Sequence, residues 1–181
     1  MEHNPLQQQD GAAAQKDPSG SAIFNLDLVM TADRLTAVRR FITDLGQTVS
    51  RNPDVAARLA LATHELMENA LKYSADPSRR VTLVLSAESG PRLCVTVCNV
   101  SSEALVVPLR QRLRELREAP DPVAHYYRLL TCSTSNDTSS GELSSGLGLA
   151  RIVAEAEMEL SCELRGDLLA VTAQALMGEG K

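Results

Sequence analysis

The segment LATHELMENALKYS, residues 61–74, constrains this chain more than any other. At about 100° per residue, Glu65, Glu68, Asn69 and Lys72 fall within one arc of roughly 100° on a helix. Ala62, Leu66, Ala70 and Tyr73 lie on one side of that arc, and Ala60, Met67 and Leu71 on the other. An ordinary surface helix has one apolar face and one polar face. A polar stripe with apolar residues on both flanks fits an enclosed helix whose stripe faces a cavity. A carboxylate there needs water, a cation or a ligand. Glu65 and Asn69, at i and i+4, point the same way. Asn69 offers a hard oxygen suited to Mg²⁺, which prefers oxygen ligands and often shares phosphates with the protein. Glu65, one turn earlier, is placed to orient or deprotonate a nucleophile. The same spacing also fits the exposed charged face of an ordinary helix.

The sequence around this segment reads as one domain over residues 21–176, with tails at 1–20 and 177–181. The first tail is rich in Gln, Ala, Asp, Pro and Gly and has no sustained periodicity. Alternation through Phe24, Leu26, Leu28 and Met30 predicts a strand. Thr31 or Asp33 caps a helix whose stripe is Leu35, Val38, Ile42, Leu45 and Val49. Asn52 and Pro53 open the second helix, which Asp76-Pro77 ends near residue 74. Val81, Leu83 and Leu85, then Leu93, Val95 and Val97, predict two strands joined by a turn at 88–91. Helices follow over about 103–117 and 122–130. The stretch TCSTSNDTSSGELSS, residues 131–145, has little to bury and reads as a mobile loop. A last helix runs from Gly146 to about Ala156, and two strands meet at a Gly166-Asp167 hairpin. Strands in tight-turn pairs with helices collected on one face make a two-layer α/β sandwich with a mixed, mostly antiparallel sheet.

Composition narrows the function classes. Hydrophobic residues are 44% of the 181, but aromatics are 3% and Trp is absent, so the core is aliphatic. The net charge of −5 and pI near 5.2 disfavour nucleic-acid binding. No stretch approaches the roughly 18–20 apolar residues of a membrane span, and residues 1–20 lack a basic-then-apolar signal pattern. Cys94, Cys98, Cys132 and Cys162 have no CxxC spacing and do not cluster with His3, His64 or His125. Zinc is therefore not expected, and the cysteines read as reduced thiols of a cytoplasmic protein. The arginines of RQRLRELRE (Arg110, Arg112, Arg114 and Arg117) do not share one face. They read as a solvated helix with Glu115 and Glu118 as partners, with partner docking or phosphate sensing as the alternative.

A second signal is SSGLGL, residues 144–149. Two glycines just ahead of a helix let the backbone approach an anion, and the free N–H groups of the helix start complement phosphate. No Lys follows as in GxxxxGK, and Arg151 stands at the third glycine position of GxGxxG. A tight loop-to-helix turn explains the same residues.

HELMENALKY followed about 80 residues later by SSGLGLARIV, with strands between, resembles the GHKL ATPase family over residues 23–175. That resemblance implies the histidine-kinase-like ATPase fold, ATP and Mg²⁺. It implies Glu65 as the catalytic residue and Asn69 as the Mg²⁺ ligand. Lys72 and Tyr73 would face the nucleotide, Tyr73 stacking on adenine. Gly146, Leu147, Gly148 and Leu149 would lie beside the triphosphate, and residues 131–145 would form the ATP lid. The pattern TADRLTAVRRFITDL, ahead of the Glu65/Asn69 helix, is most similar to the stand-alone anti-sigma-factor serine/threonine kinases. Such kinases phosphorylate a small antagonist protein that competes with a sigma factor for them, and they are commonly dimers. The resemblance therefore implies an antagonist or sigma-like protein partner and a homodimer. His64 reads as structural or as a support to its neighbours.

One motif departs from the family. Its first glycine box is Asp-x-Gly-x-Gly after the middle strand, and here Asn99, Ser101 and Glu103 stand in that region. Asn99 keeps a carbonyl acceptor for the adenine amino group but not the charge. This departure motivates an alternative reading: a degenerate GHKL-shaped module that docks a protein partner with little or no nucleotide chemistry.

Overall fold

The computed structural model describes residues 20–88, 92–135 and 141–176. The expected tails at 1–19 and 177–181, the 89–91 turn and residues 136–140 of the expected lid lie outside the described residues. Strand β1 (Gly20–Val29) leads into helices α1 (Ala32–Ser50) and α2 (Pro53–Tyr73). Strands β2 (Arg80–Glu88) and β3 (Arg92–Val100) follow, then helices α3 (Glu103–Glu118), α4 (Pro122–Ser135) and α5 (Gly141–Glu155). Strands β4 (Glu159–Arg165) and β5 (Leu168–Leu176) are the last described elements.

Local chemistry sets most of these boundaries. Thr31 caps α1, its hydroxyl accepting from the Arg34 N–H, and Arg51 ends the helix in the left-handed region at φ 55°. Asn52 caps α2 by accepting from the Asp54 N–H at 2.9 Å, with Pro53 as the first helical residue. After α2, the Asp76 carboxylate accepts from the Ser78 N–H and hydroxyl. The Ala75 N–H donates to the Val100 carbonyl at 2.9 Å, tying the end of α2 to the end of β3. Gly166, at φ 63°, makes the β4–β5 hairpin.

The strand order is β1-β2-β3-β5-β4, and each of the four pairings is antiparallel. The sheet expected to be mixed is thus antiparallel among the described residues. Between β3 and β5 the described residues carry three helices and the hairpin partner β4, and β5 returns beside β3 in the opposite direction. Register puts Leu83, Val97 and Val171 in one row and Leu85, Val95, Ala173 and Leu160 in the next. That face is buried under the helices. The opposite face carries Thr82, Thr96 and Thr172, with a 2.9 Å hydrogen bond between the hydroxyls of Thr96 and Thr172. Cys94 and Cys98 also share this face, as their even spacing predicts. The architecture is a two-layer sandwich.

Between the layers Ile42, Leu59, Met67, Leu83, Val95 and Ile152 are fully buried. Helices α1 and α2 pack so closely at Gly46 that a β-carbon there would sit 3.0 Å from the Ala56 Cα.

Two local expectations change. Helix α4 continues to Ser135, five residues past its predicted end, and α5 begins at Gly141 rather than Gly146. Residues 131–135 and 141–145 of the expected lid are therefore helical. Ser and Thr are only mildly unfavourable in helices, so adjoining helical segments extend into them.

Candidate functional site

A cavity of about 310 Å³ lies among α2, the C-terminal end of β3, α3, α5 and β5. Ligand pockets are commonly about 300–1,000 Å³, so this one is small but adequate for a compact ligand. Leu66, Val97, Leu149, Leu169 and Val171 give it an apolar floor, while Asn69, Asn99, Ser101, Gln111, Arg112 and Glu115 supply polar groups.

The polar stripe of α2 and its flanking Tyr73 divide three ways. Asn69 and Tyr73 face the cavity. Glu65 is buried and accepts from Arg151 Nη1 of α5 at 3.1 Å. Arg151 also donates through Nε to Glu155 Oε2 at 2.8 Å. The Glu155 hydrogen bond first, then the charges of Glu155 and Glu65, push the Arg151 guanidinium above its ordinary value despite desolvation. Glu68 and Lys72 pair with each other at 3.5 Å on the outer part of the helix. Lys72 is exposed and is not on the cavity wall.

Asn99 and Ser101 stand at the end of β3, both nearly inaccessible at 3% and 4% exposure. The Asn99 Nδ2 donates to the Val100 carbonyl at 3.1 Å, and the Ser101 N–H donates to the Asp167 carbonyl at 2.8 Å. Two buried atoms of wall residues have no hydrogen-bond partner among the described residues: Asn69 Nδ2 and Ser101 Oγ. An unpartnered buried polar atom costs about 1–3 kcal/mol. Rotating the Asn69 amide by 180° presents Oδ1 in place of Nδ2 and makes the same position an acceptor.

Gly146 and Gly148 lie within α5, five and seven residues beyond its first residue Gly141. They are past the four free N–H groups of the helix start, so their amides belong to the helical ladder. The sequence reading starts the helix at Gly146; in the structure both glycines lie inside α5 and pack closely against other side chains. A β-carbon on Gly148 would lie 2.5 Å from Glu65 Oε2, and one on Gly146 would lie 2.7 Å from Arg112 Nε. Leu149 is buried on the cavity wall, and Leu147 packs half-buried against the core.

Sequence reasoning does not name Arg151 as a site residue, and it gives Arg112 a docking or phosphate-sensing role only as the alternative. Leu105, Leu109 and Arg112 follow i, i+4, i+7 spacing and all line the cavity. That spacing was a usable signal. For Arg151 the i, i+3 relation to Gly148 marked a shared face, but nothing local named Glu65 as its partner.

No protein-family model and no curated protein matches the chain. Among solved structures it is similar to a chain of the SiaB–SiaC complex from Pseudomonas aeruginosa, with a TM-score of 0.64 and 13% identity. The match covers 85% of this chain and 89% of that one. The two share a fold. Among the described residues no helix is long and apolar enough to cross a membrane, and no cluster of His, Cys, Asp and Glu is arranged to hold a metal.

Proposed function

We propose that this chain is a GHKL-type regulatory protein that binds Mg²⁺-ATP in the α2–β3–α3 cavity. It would act as a serine/threonine protein kinase of the anti-sigma type on a protein partner in the bacterial cytoplasm. The observation that carries the proposal is the meeting of Asn69 from α2 with Asn99 and Ser101 from the end of β3 on the wall of one part-apolar cavity. The cavity suits a base at the Asn99 and Tyr73 end, where Val97, Leu169 and Val171 supply apolar surface. Asn69 would hold Mg²⁺ through its amide oxygen, and the ion would supply charge neutralisation for phosphate. Glu65 would position or deprotonate the attacking hydroxyl once Arg151 releases it. A protein partner is supported by the similar chain, which comes from a complex of two proteins. A homodimer is part of the same proposal.

A second reading is favoured by one observation. The amides of Gly146 and Gly148 are inside α5, and Ser101 and Glu103 stand where the family has glycines, so the backbone offers phosphate little. In that reading the chain is a partner-docking module.

Titration calorimetry with ATP, with and without Mg²⁺, separates the two. The kinase reading expects Mg²⁺-dependent binding that Asn69→Ala removes and phosphotransfer that Glu65→Gln removes. Absence of binding at millimolar ATP refutes it and leaves the docking module.

A further inference from the structure

Arg112 is the one cation on the cavity wall among the described residues. Its side chain is 28% exposed and reaches in from α3. Its Nη1 donates to Glu115 Oε2 at 3.1 Å, one turn along the same helix. Glu115 also accepts from Gln111 Nε2 at 3.0 Å, so it keeps a donor if Arg112 leaves it. On the other side the guanidinium lies against α5 at Gly146. An added β-carbon there would come 2.7 Å from Nε, 3.0 Å from Cδ and 3.1 Å from Cζ. The absence of a side chain at Gly146 is what admits the guanidinium to this position.

A protein holds phosphate through free backbone N–H groups or through cationic side chains, Arg above all for its forked donors. The amides of Gly146 and Gly148 are committed to α5, which leaves the side-chain route. Asn69 and Ser101 add two polar residues to the wall of the same cavity. The competing carboxylate at the wall is Glu115, while Glu65 is engaged by Arg151.

We propose that Arg112 is the anion-binding residue of this cavity. It would exchange Glu115 for a phosphate group, either the polyphosphate arm of a nucleotide or a free polyphosphate. The nucleotide form rests on the proposed ATP site; the anion site stands on Arg112, Gly146 and the cavity.

Calorimetric titration of the full chain with tripolyphosphate, ATP and adenosine tests this, using wild type, Arg112→Ala, Glu115→Gln and Gly146→Ala. Loss of a charge-assisted hydrogen bond predicts an affinity about 10–100-fold weaker for tripolyphosphate and ATP in Arg112→Ala. Adenosine affinity should not change. Glu115→Gln removes the competitor and should tighten tripolyphosphate, whereas Gly146→Ala displaces the guanidinium and should weaken it. Tripolyphosphate binding that depends on Arg112, with no binding of ATP or adenosine, would support the anion site and refute the nucleotide reading. Wild-type affinity for both anions in Arg112→Ala, or adenosine binding with no tripolyphosphate binding, would overturn the assignment to Arg112. No binding of any of the three by wild type would overturn both proposals.

Discussion

Gly148→Ala is expected to destabilise the protein, against the direction of helix propensity. Alanine is favoured over glycine inside a helix by about 1 kcal/mol. At this position the new β-carbon would fall 2.5 Å from Glu65 Oε2 and 3.5 Å from its Cδ. The carboxylate has to move, and it is held by the 3.1 Å bond from Arg151 on a side chain only 10% exposed. Overpacking costs about 1–3 kcal/mol. The displaced ion pair adds about 1 kcal/mol, discounted because the Arg151 side chain is 41% exposed. After the helix gain is subtracted, the net loss is about 1–3 kcal/mol. In a Glu65→Ala background the obstructing carboxylate is gone, and the same change should stabilise by about 0.5–1 kcal/mol. Urea denaturation of the four proteins, followed by far-UV circular dichroism, reads this as a reversal of sign in the midpoint shift. If Gly148→Ala raises the midpoint in the wild-type background, the close approach of α5 to Glu65 is refuted.

Three further outcomes follow from the packing. Gly46→Ala should cost about 1–3 kcal/mol despite its helical site, because the β-carbon meets the Ala56 backbone, which cannot swing away; a neutral or raised urea midpoint would count against the α1–α2 contact. Burial pushes the Cys98 and Cys162 thiols up, and Cys94 is buried, so in timed alkylation with mass mapping near pH 8 the exposed Cys132 should be modified first. Hydrogen bonds from the Ser78 hydroxyl and N–H hold Asp76 below its ordinary pKa, and a depressed carboxylate stabilises the fold above its unfolded pKa and loses that effect as pH falls through the folded value. Asp76→Ala should therefore lower the thermal midpoint at pH 7, with the gap to wild type closing in strong acid; a gap constant with pH would refute the role of the charge.

The features legible in the sequence are those set by neighbours a few residues apart. The caps at Thr31 and Asn52, the stripe Leu35, Val38 and Ile42, and the alternation of β2 and β3 rest on i, i+2 or i, i+4 relations, and the structure shows each. The stripe on α2 foretold a cavity, and Asn69 and Tyr73 do line one with Asn99. The start of α5 is not legible because residues 141–145 carry no apolar period that marks a helix, while Ser is only mildly unfavourable inside one.

What the tertiary structure alone decided are contacts between distant segments. Arg151 reaches Glu65 across 86 positions, and Gly148 sits against that same carboxylate. Arg112 enters the cavity only because α3 folds over the end of β3 and Gly146 leaves room for it. Periodicity tells which residues of an element share a face, because that follows from backbone geometry. It does not tell which other element meets that face, because close packing chooses that across the whole chain.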